Sequence, residues 1–136
     1  MATRILHIVP TLDRGGIEQS LISLCRQMDR ERFQFDFLVH SLQKGSLEKE
    51  TAQLGCGIFH VCARRDGESR NRKELAAFFQ THGEYCIVVQ HVSSLSYLAP
   101  LAEARRAGIT IRVLHCHNMR EGGKGAIQLL HRALHL

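Results

Sequence analysis

Residues 4–18 read Arg4-Ile5-Leu6-His7-Ile8-Val9-Pro10-Thr11-Leu12-Asp13-Arg14-Gly15-Gly16-Ile17-Glu18. A short apolar run meets a polar turn, and a glycine pair then opens a segment of helical spacing. An apolar run without strict alternation is the pattern of a parallel strand buried on both faces. Pro10 has no N–H to give a sheet, so the strand stops there. Gly15 and Gly16 put no side chain between a ligand and the backbone, and the N–H groups of a helix N-terminus attract anions such as phosphate. The loop is neither G-x-G-x-x-G nor G-x-x-x-x-G-K-[ST], which removes the dinucleotide fingerprint and the Walker phosphate loop. The glycine pair alone therefore supports two readings, a phosphate cradle and a plain tight turn.

The same strand-then-helix order repeats along the chain. Ile17, Leu21, Leu24 and Met28 recur at helical spacing and predict a helix over residues 16–29. Residues 33–39 give a second strand. Ser46 is placed to cap a helix with Leu47, Thr51 and Leu54 on its core face and Glu48 in its first turn, ended by Gly55 and Gly57. Residues 58–61 give a third strand, 64–71 a polar surface loop, and 73–81 a helix burying Leu75, Phe78 and Phe79. Residues 85–89 are strongly β-prone and give a fourth strand. Leu95, Leu98 and Ala102 continue a helix to Arg106, closed by Gly108, and Pro100 either starts it late or kinks it. Residues 109–114 form a fifth strand, 119–125 a glycine-rich loop, and Ile127, Leu130 and Leu134 a last amphipathic helix. Strands alternating with helices define an α/β class with a parallel, right-handed, doubly wound sheet.

At 136 residues the chain fits one domain, spanning 1–136, and is long enough to bury a core. Apolar residues at 44% and charged residues at 23% are ordinary for a globular protein. No apolar run approaches the roughly 18 residues of a membrane helix. The segment after Arg4 lacks the layout of a signal peptide, so a cytoplasmic location is the default expectation. Eighteen Lys and Arg against 13 Asp and Glu give a net charge of +5. That excess suits anionic ligands or an anionic membrane surface, and is too dispersed to point to nucleic acid. The dense basic stretch of Arg64, Arg65, Arg70, Arg72 and Lys73 reads as a solvated loop and helix face. Five cysteines, at 25, 56, 62, 86 and 116, make no C-x-x-C. They read as reduced thiols, with Cys25, Cys62 and Cys86 packed on apolar elements.

Open α/β sheets bind ligands outside the carboxyl ends of their strands, where the strand order reverses. Here the first strand leads into Asp13-Arg14-Gly15-Gly16, the fourth into Gln90-His91-Val92-Ser93-Ser94, and the fifth into His115-Cys116-His117-Asn118. A 3-2-1-4-5 order groups Gly15, Gly16, His91 and His117 at one edge. His115 and His117 at i and i+2, with His91 as a third ligand, also allow a zinc reading. Structural zinc normally brings a second close Cys/His pair, which the sequence lacks, so no metal is expected. His115 reads as a packed strand-end histidine. His91 and His117 read as ligand contacts, since histidine can donate to a sugar hydroxyl or pair with phosphate near neutral pH.

Three segments together resemble the N-terminal domain of family 4 retaining glycosyltransferases of GT-B fold, as found in exopolysaccharide and capsule synthesis. Residues 5–21 are similar to that family's first strand followed by G-G-x-E and an amphipathic helix. Tyr85-Cys86-Ile87-Val88-Val89-Gln90-His91 resembles its Y-D-[IV]-[IV]-H-x-H segment, with Cys86 in place of the usual Asp and Gln90 where the family often has another residue. Arg112-Val113-Leu114-His115-Cys116-His117-Asn118 is similar to its R-[IV]-x-H-x-H-N segment. The resemblance implies a Rossmann-like, acceptor-side domain and transfer of a sugar from a nucleotide-diphosphate donor to a hydroxyl acceptor. It implies that Gly15 and Gly16 approach the donor diphosphate, that His117 lies near the transferred sugar as the catalytic residue, and that Glu18, His91 and Asn118 belong to the substrate site. Glu18 also suits the helix N-terminus by itself. No cofactor is implied. The family's Glu-x7-Glu motif lies in a second domain, so the chain reads as a fragment of a two-domain enzyme, inactive alone. Peripheral membrane association and self-association of the fragment are further expectations. A non-catalytic module binding a phosphorylated ligand or nucleotide at Gly15-Gly16 is the alternative.

Overall fold

The computed structural model describes residues 2–117. Its elements are β1 (Thr3–Val9), α1 (Gly16–Gln27), β2 (Phe33–Val39), α2 (Glu48–Gln53), β3 (Ile58–His60), α3 (Glu68–Thr81), β4 (Ile87–Val92), α4 (Ala99–Arg106) and β5 (Ile111–Cys116), with a 3-10 turn at Arg64–Asp66. The five strands form one parallel sheet in the order β3-β2-β1-β4-β5. This is the Rossmann-like, doubly wound α/β arrangement and the strand order that the alternation predicts. The expected loop and helix over 119–136, and Asn118, lie outside the described residues.

Side chains alternate across the sheet, so each strand feeds two cores. Leu6, Ile8, Leu38 and Val88 pack against Leu75, Phe78 and Phe79 of α3 and Leu101 and Ala104 of α4. On the other face Val9, Phe35, Phe37 and Val39 pack with Leu12 and with Leu21 and Cys25 of α1.

Several boundaries differ from the sequence reading for local reasons. Ser46 does not cap α2, whose N-cap is Leu47. The Ser46 N–H instead donates to Asp13 Oδ1 at 2.9 Å, and the Glu48 carboxylate accepts from the Gly45 N–H at 3.1 Å. The 64–71 segment is not a loop: after the 3-10 turn, α3 begins at Glu68. Ion pairs of Glu68 with Arg64 and Arg72, and of Arg70 with Glu74, are spaced i to i+4 and support that polar first turn. Pro100 sits in the first turn of α4, where its missing N–H costs nothing, so the helix starts late and is not kinked. Cys25, Cys56 and Cys62 are buried, but Cys86 is exposed just ahead of β4. β4 and β5 both run two or three residues further than expected, so Gln90, His91 and His115 stand within strands. His115 is exposed rather than packed.

One buried carboxylate ties the amino end of the sheet together. Asp36 of β2 is 0% exposed. It accepts from Arg4 Nε of β1 at 3.0 Å and from Arg4 Nη2, from the Tyr85 hydroxyl at 2.8 Å, and from the Gly57 N–H at 2.7 Å. The Arg4 guanidinium remains 45% exposed. Asp36→Ala strands the buried Tyr85 hydroxyl and the Gly57 N–H, and we expect it to cost about 2–4 kcal/mol. Arg4→Ala removes a half-solvated partner and should cost about 1 kcal/mol or less. Urea unfolding of the two variants checks this, and equal losses would contradict it.

Candidate active site at the carboxyl edge of the sheet

α1 starts right after the β1 turn, with Gly15 as N-cap and Gly16 as its first residue. The Gly15 φ of −118° is ordinary extended backbone, so no left-handed turn calls for glycine there. Space differs between the two positions. A Cβ on Gly15 would lie 2.3 Å from Glu18 Oε2, whereas one on Gly16 would meet nothing within 4 Å. Glu18 is 8% exposed and folds its carboxylate back over the helix start, where the N-terminal dipole stabilises it. Gly15 therefore makes room for Glu18, and no packing among the described residues demands a bare backbone at Gly16.

The histidines are brought together by register. His7 of β1 pairs with Val89, two residues before His91, and His91 of β4 pairs with His115 of β5. With a side-chain period of two, His7, His91, His115 and His117 share the face that α1 covers further along the sheet. His7 Nδ1 lies 2.9 Å from His91 Nε2, and His91 Nδ1 lies 2.8 Å from His117 Nε2. The His117 N–H donates to the Val92 carbonyl at 3.0 Å, which fixes its backbone beside β4. The His115 and His117 ring centroids are 3.9 Å apart. The result is a row of hydrogen-bonded imidazoles leading from the core to the exposed His117.

The row is neutral. Burial pushes His7 down to about 4, with the nearby His115 adding to the effect. Burial and then the neighbouring histidines push His91 down to about 3. His117 is also lowered, by burial first and then by His115. Each N···N contact then carries one proton. His7 Nε2 is buried without a partner, against the rings of Phe35 and Phe37. A stranded N–H is rarer and costlier than a stranded lone pair. That favours His7 Nδ1–H donating to His91, and His91 Nδ1–H donating to His117. His117 then carries its own proton on Nδ1, as a donor at the outer end of the row.

Ring nitrogens of His91, His115 and His117 lie within 4.8 Å of one another, close enough to suggest a cation site. Both ring nitrogens of His91 are already engaged, by His7 and by His117. A cation would have to break the latter bond, so the set is a hydrogen-bonded row before it is a ligand set.

Next to the row, a cleft of about 200 Å³ opens at the ends of β1, β2 and β4, lined by Pro10, His40, Arg64, Gln90, His91 and Tyr97 among others. Of the residues that sequence reasoning singled out, the structure joins His91 to His117 and sets Gly15, Gly16 and Glu18 at the end of the adjacent strand β1. His7, His40, Arg64 and Tyr97 were not foreseen as site residues. Only the register of β1 against β4 could have flagged His7.

Over 118 residues, 85% of its length, the chain is 31% identical to a Bacillus subtilis (strain 168) protein named "Putative glycosyltransferase EpsF". The chain spans about 30% of that relative's length. No protein-family model matches the chain, and no solved structure does. The sequence is thus similar, over most of its extent, to part of a protein named as a glycosyltransferase. Among the described residues no helix is long and apolar enough to cross a membrane.

The buried histidines predict acid sensitivity. His7 and His91, with His40, which burial lowers to about 4, are neutral when folded at pH 7. The unfolded chain takes up their protons near 6.5. Their contribution is therefore complete above about pH 6.5 and is lost as pH falls towards 4 and 3. Each should remove about 2 kcal/mol between pH 6.5 and 5, from roughly 1.4 kcal/mol per unit. Urea midpoints measured from pH 7.5 to 5 check this. His7→Phe, which suits the Phe35 and Phe37 surroundings, should flatten the pH slope by about one third.

Proposed function

We propose that this chain is the acceptor-side, N-terminal domain of a family 4 retaining glycosyltransferase of GT-B architecture. In this reading the enzyme moves a sugar from a nucleotide-diphosphate donor to a hydroxyl acceptor in glycan or glycolipid synthesis. The observation that carries it is the histidine row. A buried, uncharged chain of imidazoles that ends on one exposed ring, at the carboxyl edge of a doubly wound sheet, fixes the tautomer and position of that ring. The similarity to the Bacillus subtilis protein supports the reaction class.

The roles follow from the geometry. The Gly16 N–H lies at a helix N-terminus, where a diphosphate gains from hydrogen bonds and dipole alike, while the Gly15 N–H already donates to the Asp13 carbonyl at 2.8 Å. Gly16 offers an open approach. His117 donates through Nδ1 to the transferred sugar or to the leaving phosphate, and His91 holds it in that tautomer. Donors placed where charge develops stabilise the leaving diphosphate without a metal or a cofactor. Glu18 lies over the helix start and must share that field with the donor. Asn118 follows His117 in the chain and is assigned to the same site. Ile111 and Val113, 50% and 41% exposed on the outermost described strand, support self-association of the domain when it stands alone.

The test is sugar transfer by the longest product of the gene, offered UDP- and GDP-sugars. Gly16→Val should lower turnover by about 100-fold or more, because the added methyls meet the diphosphate rather than the fold. Its unfolding midpoint should stay close to that of the parent. His117→Ala should lower turnover by a similar factor. Near-normal transfer by both variants overturns the assignment. Tight nucleotide-sugar binding without product would mark a phospho-ligand-binding module instead. The 136-residue chain alone should make no product, since positioning both substrates supplies much of the rate.

A further inference from the structure

The geometry points to a binding subsite for an anionic sugar in the cleft between the ends of β1, β2 and β4, held by Gln90, His40 and Arg64. This inference rests on the glycosyl-transfer reading and names the class of acceptor it would take.

Gln90 of β4 is 3% exposed. Its side-chain amide donates to the Tyr97 carbonyl at 2.8 Å, which can only accept, so the orientation of the amide is settled. The other end, Oε1, is buried with no partner among the described residues. A buried acceptor left unpaired is costly, and an apolar residue at this place would serve the fold better. The cleft beside it holds about 200 Å³. Pockets for drug-sized ligands start at about 300 Å³, so the space suits a single small ring.

His40 supplies the complementary group. Asn71, 0% exposed, donates to the Cys62 carbonyl at 2.6 Å and to His40 Nδ1 at 2.9 Å, and accepts from the Tyr97 hydroxyl. Because the Cys62 carbonyl can only accept, the Asn71 nitrogen faces both partners. His40 Nδ1 is then the bare nitrogen and Nε2 carries the proton. The cleft thus offers an acceptor on Gln90 and a donor on His40, the pair that a sugar hydroxyl, itself donor and acceptor, can satisfy.

Arg64 sets the charge. Its guanidinium lies over the Tyr97 ring, 4.4 Å from the centroid, and lines the same cleft. Its pairing with Glu68 is loose, at 3.6 Å, and 43% of the side chain is exposed. A stacked guanidinium keeps its in-plane N–H groups free for a carboxylate or phosphate. A neutral sugar would leave that cation with only the loose Glu68 pair.

The experiment is an NMR titration of the chain, following the Gln90 side-chain amide and the His40 ring with glucose, glucuronate, glucose 6-phosphate and inorganic phosphate. We expect at least one of the two anionic sugars to bind at least fivefold more tightly than glucose, and the better of the two tells whether carboxylate or phosphate is read. Arg64→Gln, on an exposed side chain, should erase that preference. Gln90→Met should weaken all sugars at least fivefold. Equal binding of glucose and both anionic sugars, or inorganic phosphate as tight as glucose 6-phosphate, overturns the subsite. So does full sugar binding by both variants. Transfer by the longer gene product is scored separately: transfer without cleft binding sinks only the subsite, and cleft binding without transfer sinks only the enzymatic reading.

Discussion

The site depends on one constraint, the parallel register that locks β1 to β4 and β4 to β5. His7 stands opposite Val89, and His91 stands opposite His115. A slip of one residue in either ladder would turn every side chain of that strand to the other face. The imidazole row would then be broken and its members scattered between the two cores. The apolar pattern of the strands enforces the register, because Leu6, Ile8 and Val88 must reach α3 and α4 while Val9 and Phe37 must reach α1. The polar site is a by-product of apolar packing that allows only one alignment.

Two buried polar groups at this edge sit where a purely structural protein would put carbon. His7 lies between Phe35 and Phe37 with one ring nitrogen unpartnered, and Gln90 keeps an unpartnered oxygen. Such conflicts between local chemistry and the core are expected at functional sites and are offset elsewhere in the fold. Here the offset lies at the opposite end of the sheet. Asp36 there satisfies donors from β1, from the turn before β4 and from the turn before β3. Among the described residues, the two buried side-chain atoms without a partner lie on His7 and Gln90, away from that end.

Gln90 and His91 are neighbours in the chain, so a strand sends them to opposite faces. His91 serves the imidazole row on one side of β4. Gln90 serves the cleft towards Tyr97 on the other. His91 also lines that cleft, so the imidazole row and the cleft of Arg64 and His40 meet at the end of β4.

The sequence by itself determined the class of fold and the strand order, and with them the sheet edge at which the candidate residues meet. Alternating strand and helix patterns leave little choice but a doubly wound parallel sheet, and the handedness of crossovers then sets which strand ends lie together. His91, His117 and the glycine pair were legible because they follow apolar runs directly. Boundaries were less legible. The polar turn of α3 is held by ion pairs that composition reads as loop, and Pro100 is equally compatible with a kink and a start. His7, His40, Asn71 and Tyr97 were hidden for a deeper reason. Asn71 meets His40 and Tyr97 across separations of 31 and 26 residues, and His7 meets His91 across 84. Local pattern fixes which way a side chain alternates, but only tertiary packing fixes which distant side chain it faces, because that depends on register and helix placement summed over the whole core.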